Sequence, residues 1–206
     1  MNMRWIVLKS AVLLIVFTLF CGGIYPFLVT LVAQILFPDQ ANGSLYRRKG
    51  QVAGSVLLAQ RADVQGYFQA RPSACGYSTL PSRASHFAPT SAALRDSIEQ
   101  RRRRFVRENG LADDAAVPVE MTCGSGSGLD PHISPRAARL QVERVARQRR
   151  LNDDQKQRLY DLIVRETEPR QWGMWGEPRV NVLKLNSSLN NDPEFRILNS
   201  TAQQDG

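Results

Sequence analysis

The chain has 206 residues, 27 of them Lys or Arg against 19 Asp or Glu, for a formal charge of +8. Residues 1–38 contribute only Arg4 and Lys9 to that balance and no acid, so +6 stays with the remainder, whose length suits one domain. The three cysteines, Cys21, Cys75 and Cys123, have neither zinc-ligand spacing nor a C-x-x-C motif, which excludes metal and dithiol centres of those kinds.

Residues 1–9 form a short flank, and residues 10–38 then hold no charge. A bilayer core of about 30 Å needs roughly 20 helical residues. In hydrocarbon a lone segment can satisfy its own backbone only as a helix. The run exceeds the roughly 7–15 apolar residues of a signal peptide, and no clear small-residue cleavage site follows it. Only Thr18, Thr30 and Gln34 interrupt it, too few for the polar stripe of a buried core helix. The expectation is one transmembrane helix over 10–38 and a soluble domain over 39–189. Gly22, Gly23 and Pro26 read equally as a tolerated kink or as a packing face. Arg4 and Lys9, close to the helix, favour a cytoplasmic N-terminus and an outward-facing domain; Arg47, Arg48 and Lys49 lie farther from the other end. Cys75 and Cys123 are expected as free thiols.

From Gln40 to Gly50 the chain is polar, with a turn at Asn42-Gly43. Val52–Gln60 predicts a short buried strand. Pro72 blocks regular structure, and a loop runs from Ser73 to about Ala88. A helix opens at Pro89-Thr90-Ser91 and ends at Asn109-Gly110. Val117–Met121 predicts an edge strand, because of Pro118, and Gly124–Gly128 a flexible loop. Ser134 with Pro135 starts a helix to about Arg150. Asn152 and Gln155 form a capping box for the next. Trp172 and Trp175 lie in a loop over 170–177 and read as a core element ahead of a binding surface. Arg179–Asn186 predicts a strand, and 190–206 a disordered polar tail. The sum is an α/β (α+β) soluble domain with a small sheet and about three helices, preceded by one transmembrane helix.

Several chemistries fail on their residues. The glycine loop lacks the Gly-Lys-Ser/Thr of a phosphate-binding loop, and Asp130 would repel a phosphate. A hydrolase needs a nucleophile, a histidine base and a carboxylate in reach. Ser125, Ser127, Asp130 and His132 supply the types, but Gly126 occupies the place where a nucleophile elbow needs serine. No catalytic residue is expected. Arg101–Arg104 and the six arginines between Arg136 and Arg150 have too few interleaved aromatics for nucleic acid. They read as solvated helix faces, with an acidic partner or anionic lipid as the alternative.

Six segments in chain order carry a more specific signal. They are Gly22-Gly23-Ile24-Tyr25-Pro26, Gln40–Leu45, Gly54-Ser55 with Gln60, Gly66–Ala74 (which holds Arg71, Pro72 and Ser73), Val117–Glu120 with Gly124–Pro135, and Gly176–Leu183. Together they resemble the KdpC family, one of the component chains of the Kdp potassium-transporting ATPase. The chain departs from that pattern at Ser82–Phe87 and at Leu58–Ala62, which leaves surfaces built from those loops outside the resemblance.

The resemblance implies a non-catalytic accessory subunit of a P-type potassium uptake pump, in a bacterial inner membrane. It implies two protein partners, a channel-like potassium-carrying subunit and an ATP-hydrolysing subunit, besides membrane lipid. It also implies roles in assembly and as a catalytic chaperone that raises ATP affinity. On that view Gln141 matches a glutamine likened to nucleotide-binding signatures. No cofactor is expected on the chain alone, and ATP only through the complex. Contact with ATP needs a cytoplasmic domain, whereas the flanking charges favour a periplasmic one; the outward scaffold ranks first. The family match also turns Gly22, Gly23, Tyr25 and Pro26 into an expected subunit interface within the membrane. Two other classes compete: a membrane-anchored periplasmic hydrolase and a stand-alone binding module.

Overall fold

An uncharged run of this length becomes one continuous helix in the computed structural model, which describes residues 3–48, 50–62 and 66–195. The chain falls into two units, one ending at Ser55 and the other beginning at Val56.

In the first unit the helix extends from Met3 to Leu36 and none of its apolar window is buried. It is long and apolar enough to cross a membrane once. It consists of α1 (Met3–Leu19), a π turn (Phe20–Ile24) and α2 (Tyr25–Leu36). Pro26 explains the wide turn. A proline has no N–H to donate, and its ring crowds the carbonyl four residues back, here that of Gly22. The helix relieves this by widening, so that the Tyr25 N–H donates to the Phe20 carbonyl, five residues back. After α2 comes α3 (Pro38–Ala41). The Asn42 amide donates to the Pro38 carbonyl at 2.7 Å, and Gly43 takes φ +85° to turn the chain. A hairpin follows, β1 (Leu45–Arg48) against β2 (Gln51–Ser55). The buried strand expected over 52–60 is thus a shorter strand with an exposed Val52. It pairs with its own neighbour rather than entering a core.

The second unit holds the core. Helices α4 (Ala92–Asn109), α5 (Pro135–Arg139), α6 (Val142–Arg149), α7 (Asp153–Arg165) and α8 (Val182–Asn191) surround a small antiparallel sheet. Its strands are β3 (His132–Ile133), β4 (Thr167–Glu168) and β5 (Arg179–Asn181), with β5 in the centre. Ile133 and Thr167 both register with Val180. Phe68, Ile133, Val142, Val145, Leu159, Ile163, Val180, Leu185 and Leu189 are fully buried together. The α+β class of the domain and its single preceding apolar helix are as the sequence predicts.

Local capping rules set most boundaries. Gly110 ends α4 in the left-handed conformation at φ +65°. The Ser134 hydroxyl accepts from the Ala137 N–H, with Pro135 in the first turn of α5. Asn152 and Gln155 complete a reciprocal capping box on α7.

Five further expectations need correction. Val117–Met121 is not a strand: Val119–Met121 forms one 3-10 turn closed onto the Pro118 carbonyl. The helix expected over 134–150 breaks at Leu140-Gln141 into α5 and α6. Residues 179–186 do not stay extended. The Asn181 side chain accepts from the Leu183 and Lys184 N–H groups and starts α8 there. Val182, Leu185 and Leu189 then follow helical spacing into the core, overriding the alternating pattern. Residues 190–195 of the expected disordered tail are ordered. Helix α8 continues to Asn191 and Phe195 is buried, while residues 196–206 lie outside those described. Finally, Trp172 and Trp175 are not core residues. They are 89% and 64% exposed at the tip of a tight hairpin, where a bridge pairs Gln171 with Trp175.

Candidate functional site

The segment Gly66–Ala74 has no regular structure of its own, so its buried backbone needs partners from elsewhere. Two side-chain amides supply them. The Asn186 amide pairs with Phe68, accepting from its N–H at 2.8 Å and donating to its carbonyl at 2.9 Å. The Gln141 amide does the same for Gln69, at 2.8 and 3.2 Å. Gln141 is fully buried and also accepts from the Arg144 guanidinium at 2.8 Å. Arg144 donates in turn to Asn109 at 3.0 Å, and Asn109 to the Phe105 carbonyl at 2.8 Å. A buried polar chain therefore ties α4, α6 and the 66–74 segment together. Burial pulls the Arg144 guanidinium down to about 10, against Glu108, which supports its charge. It stays cationic at neutral pH.

Arg149 fastens the same segment from its other end. It is only 2% exposed and donates to the Gly66 carbonyl at 2.6 Å, the Phe195 carbonyl at 2.7 Å and the Asn190 side chain at 3.0 Å. Its guanidinium also lies 4.8 Å from the Tyr67 ring centroid. Arg144 and Arg149 correct the reading of the α5–α6 arginines as solvated. A signal for Arg149 was present, because it continues the apolar spacing of Val142, Val145 and Ala146. Arg144 falls off that stripe, and Asn186 shares the helical spacing of Val182, Leu185 and Leu189, a signal hidden by reading residues 179–186 as a strand.

The motif residues of two separate loops meet at Asp130. Arg71 donates to one carboxylate oxygen at 2.7 Å. The other accepts from the His132 backbone N–H at 3.0 Å and faces His132 Nδ1 at 3.2 Å. The His132 side-chain contact comes first in holding the Asp130 carboxyl down to about 2; the His132 N–H and Arg71 add to it, against the burial that would raise it. Ser125 and Ser127 serve the loop backbone, their hydroxyls accepting from Asp130 N–H at 3.4 Å and Leu129 N–H at 3.1 Å. Gly126 is open to solvent on its Cβ side. Gly128, at φ +72°, sits where a Cβ would come within 2.6 Å of Cys75 Sγ and 3.1 Å of Ser73 Oγ. Pro72 approaches through its carbonyl, 3.3 Å from where a Cβ on Gly124 would lie. The Ser73 hydroxyl accepts from the Cys75 and Tyr77 N–H groups at 3.3 and 2.9 Å. Cys75 and Cys123 are free thiols. The Ser73 hydrogen bond is the main cause drawing the Cys75 thiol below its ordinary value.

These contacts join Arg71, Pro72 and Ser73 to Ser125, Ser127, Asp130 and His132 as one knot, and keep Gln141 in a separate buried network. Beside it runs a cleft of about 560 Å³, with Arg61, Arg101, Arg104, Glu108, Arg144 and Gln148 among its walls. Gly22, Gly23, Tyr25 and Pro26 belong to the first unit. All four lie in or just after the π turn and are exposed, and nothing lies within 4 Å of a Cβ on either glycine.

Comparison with known proteins covers both units. Residues 7–191 match the family model described as KdpC, the K+-transporting ATPase c chain. The chain is 47% identical over 183 residues to the potassium-transporting ATPase KdpC subunit of Methylococcus capsulatus, covering 87% of this chain and 94% of the relative. It is 46% identical over 182 residues to the KdpC subunit of Rhodospirillum rubrum, covering 87% and 92%. The Mycobacterium bovis KdpC subunit is 43% identical over 189 residues, covering 91% and 98%.

Proposed function

The chain belongs to the KdpC family of K+-transporting ATPase c chains, and on that premise we propose that it is a non-catalytic accessory subunit needed for assembly and stability of the pump. The carrying observation is the extent of the match, which runs from the membrane helix through to α8. Anchor and domain thus occur together as one subunit type. The proposed partners are a channel-like potassium-carrying subunit and a P-type ATP-hydrolysing subunit, in the inner membrane of a bacterium. The glycine turn at 22–23 packs against their transmembrane helices, since small residues permit close approach. The soluble domain lies on the periplasmic side, as Arg4 and Lys9 beside the helix favour.

Within this proposal the Gln141 amide is structural. Its donors and its oxygen are engaged with Gln69, Ala137 and Arg144, and a nucleotide would have to displace them. Any gain in ATP affinity of the pump then passes through the assembled subunits rather than through Gln141. The hydrolase alternative is weakened by the backbone-capping roles of Ser125 and Ser127. The test is co-purification from detergent-solubilised membranes by a tag on this chain. Two larger membrane subunits should come with it, and the chain alone should hydrolyse no ATP. Recovery of this chain without partners would overturn the proposal in favour of a stand-alone module.

A further inference from the structure

The tip of the 170–177 hairpin has a chemistry that the fold does not use. Trp172, Met174 and Trp175 are 89%, 74% and 64% exposed, so three large apolar side chains within four residues of one short hairpin face water. The turn that presents them is tight. The Met174 N–H donates to the Gln171 carbonyl at 3.2 Å, and the Gln171 and Trp175 backbones exchange bonds at 2.8 and 3.0 Å. Within this three-residue loop Trp172 and Gly173 take φ +50° and +75°, the positive pair of a primed turn whose first position suits Asn, Asp or Gly. A tryptophan there is strained, and at 89% exposure it has little packing among the described residues to compensate.

The charges at the base of the hairpin indicate what covers the tip. Arg170 pairs with Glu177 at 3.2 Å, and Glu168 pairs with both Arg179 and Lys184 at 3.0 Å. Each of these three neighbouring cations is therefore already engaged by a carboxylate, two of them sharing Glu168 and the third held by the well-exposed Glu177. A loop that meets an anionic lipid surface needs unmatched Lys or Arg. Tryptophan and methionine beside cations that are all engaged in ion pairs are instead what the centre of a protein interface is made of. Two tryptophans offer roughly 300–500 Å² of surface, against about 800 Å² per partner in a stable interface. The tip is thus large enough to be the anchor of an interface and too small to be all of it.

We propose that Trp172, Met174 and Trp175 form a docking knob that inserts into an apolar pocket on the extramembrane face of another subunit of the same ATPase. This rests on the accessory-subunit reading above and adds a specific surface to it. The test compares the tagged full chain with its Trp172→Ser, Trp175→Ser double variant, both purified from membranes. The altered side chains contact solvent, so the melting temperature and the amount of chain in the membrane should be unchanged. Recovery of the partner subunits should fall at least tenfold. Partner recovery equal to that of the unaltered chain would sink the docking knob while leaving the accessory role intact. If the unaltered chain itself recovers no partner, the accessory role fails and the knob with it. A photoreactive Trp172→benzoylphenylalanine chain in the complex gives a second reading. Cross-linking to another subunit supports the knob; cross-linking to lipid alone, or to nothing, overturns it.

Discussion

Single side chains hold the 66–74 segment in place, and Arg149 illustrates how strongly. Its guanidinium satisfies the Gly66 and Phe195 carbonyls, both far away in sequence. Arg149→Met keeps much of the apolar stem but leaves buried acceptors unpaired. It should lower stability by about 2–4 kcal/mol in a denaturation series; a loss below about 0.5 kcal/mol would show that Arg149 is a surface residue. Asp130 makes a pH prediction. Its folded-state value lies near 2, below the ordinary 3.8. Its contribution is therefore present above about pH 4 and is lost as pH falls towards 2. Because the carboxylate is partly open to solvent, the effect is on the order of 1 kcal/mol. Asp130→Asn should remove that part of the acid sensitivity, and an unchanged unfolding profile between pH 4 and 2 would contradict the assignment. Little of this residue-level network was legible in the sequence. The Asp130–His132 contact is local, two positions apart. Arg71 with Asp130, and Gln141 with Gln69, are long-range pairs for which a single sequence carries no spacing rule.

Elements were legible where a local rule decides them and illegible where the tertiary structure does. Ser134-Pro135, Asn152 with Gln155, and Gly110 place helix ends through contacts within a few residues, and the fold agrees at each. Residues 179–186 carried two periods at once, and only burial of Leu185 and Leu189 against the core selects helix after Asn181. The tryptophans failed for another reason. A large apolar side chain is expected inside unless its surface has a use outside the chain, which sequence alone does not reveal. The π turn belongs to this scale as well. It gives Pro26 a physical role as a local widening, and it leaves Gly22 and Gly23 open on the helix surface. Replacing both glycines with leucine should leave the chain in the membrane, because leucine suits hydrocarbon and helix alike. It should cut recovery of partner subunits severalfold. Retained assembly would make the turn a plain bend in a tether.

At the scale of the whole molecule, the membrane anchor and the α+β domain are one family unit, and the proposed pump role depends on both. The proposed outward orientation rests on the flanking charges. In spheroplasts, external protease should degrade the soluble domain; a domain protected until the membrane is opened would place it in the cytoplasm and contradict the charge reading. On the proposed role, the pump is neither built nor kept intact without this chain, and the chain hydrolyses no ATP itself. Potassium-stimulated ATP hydrolysis should therefore be measured in membranes that contain the other subunits, with and without this chain. Activity should fall to background without the chain and return when it is supplied. Full activity in its absence would contradict the claim.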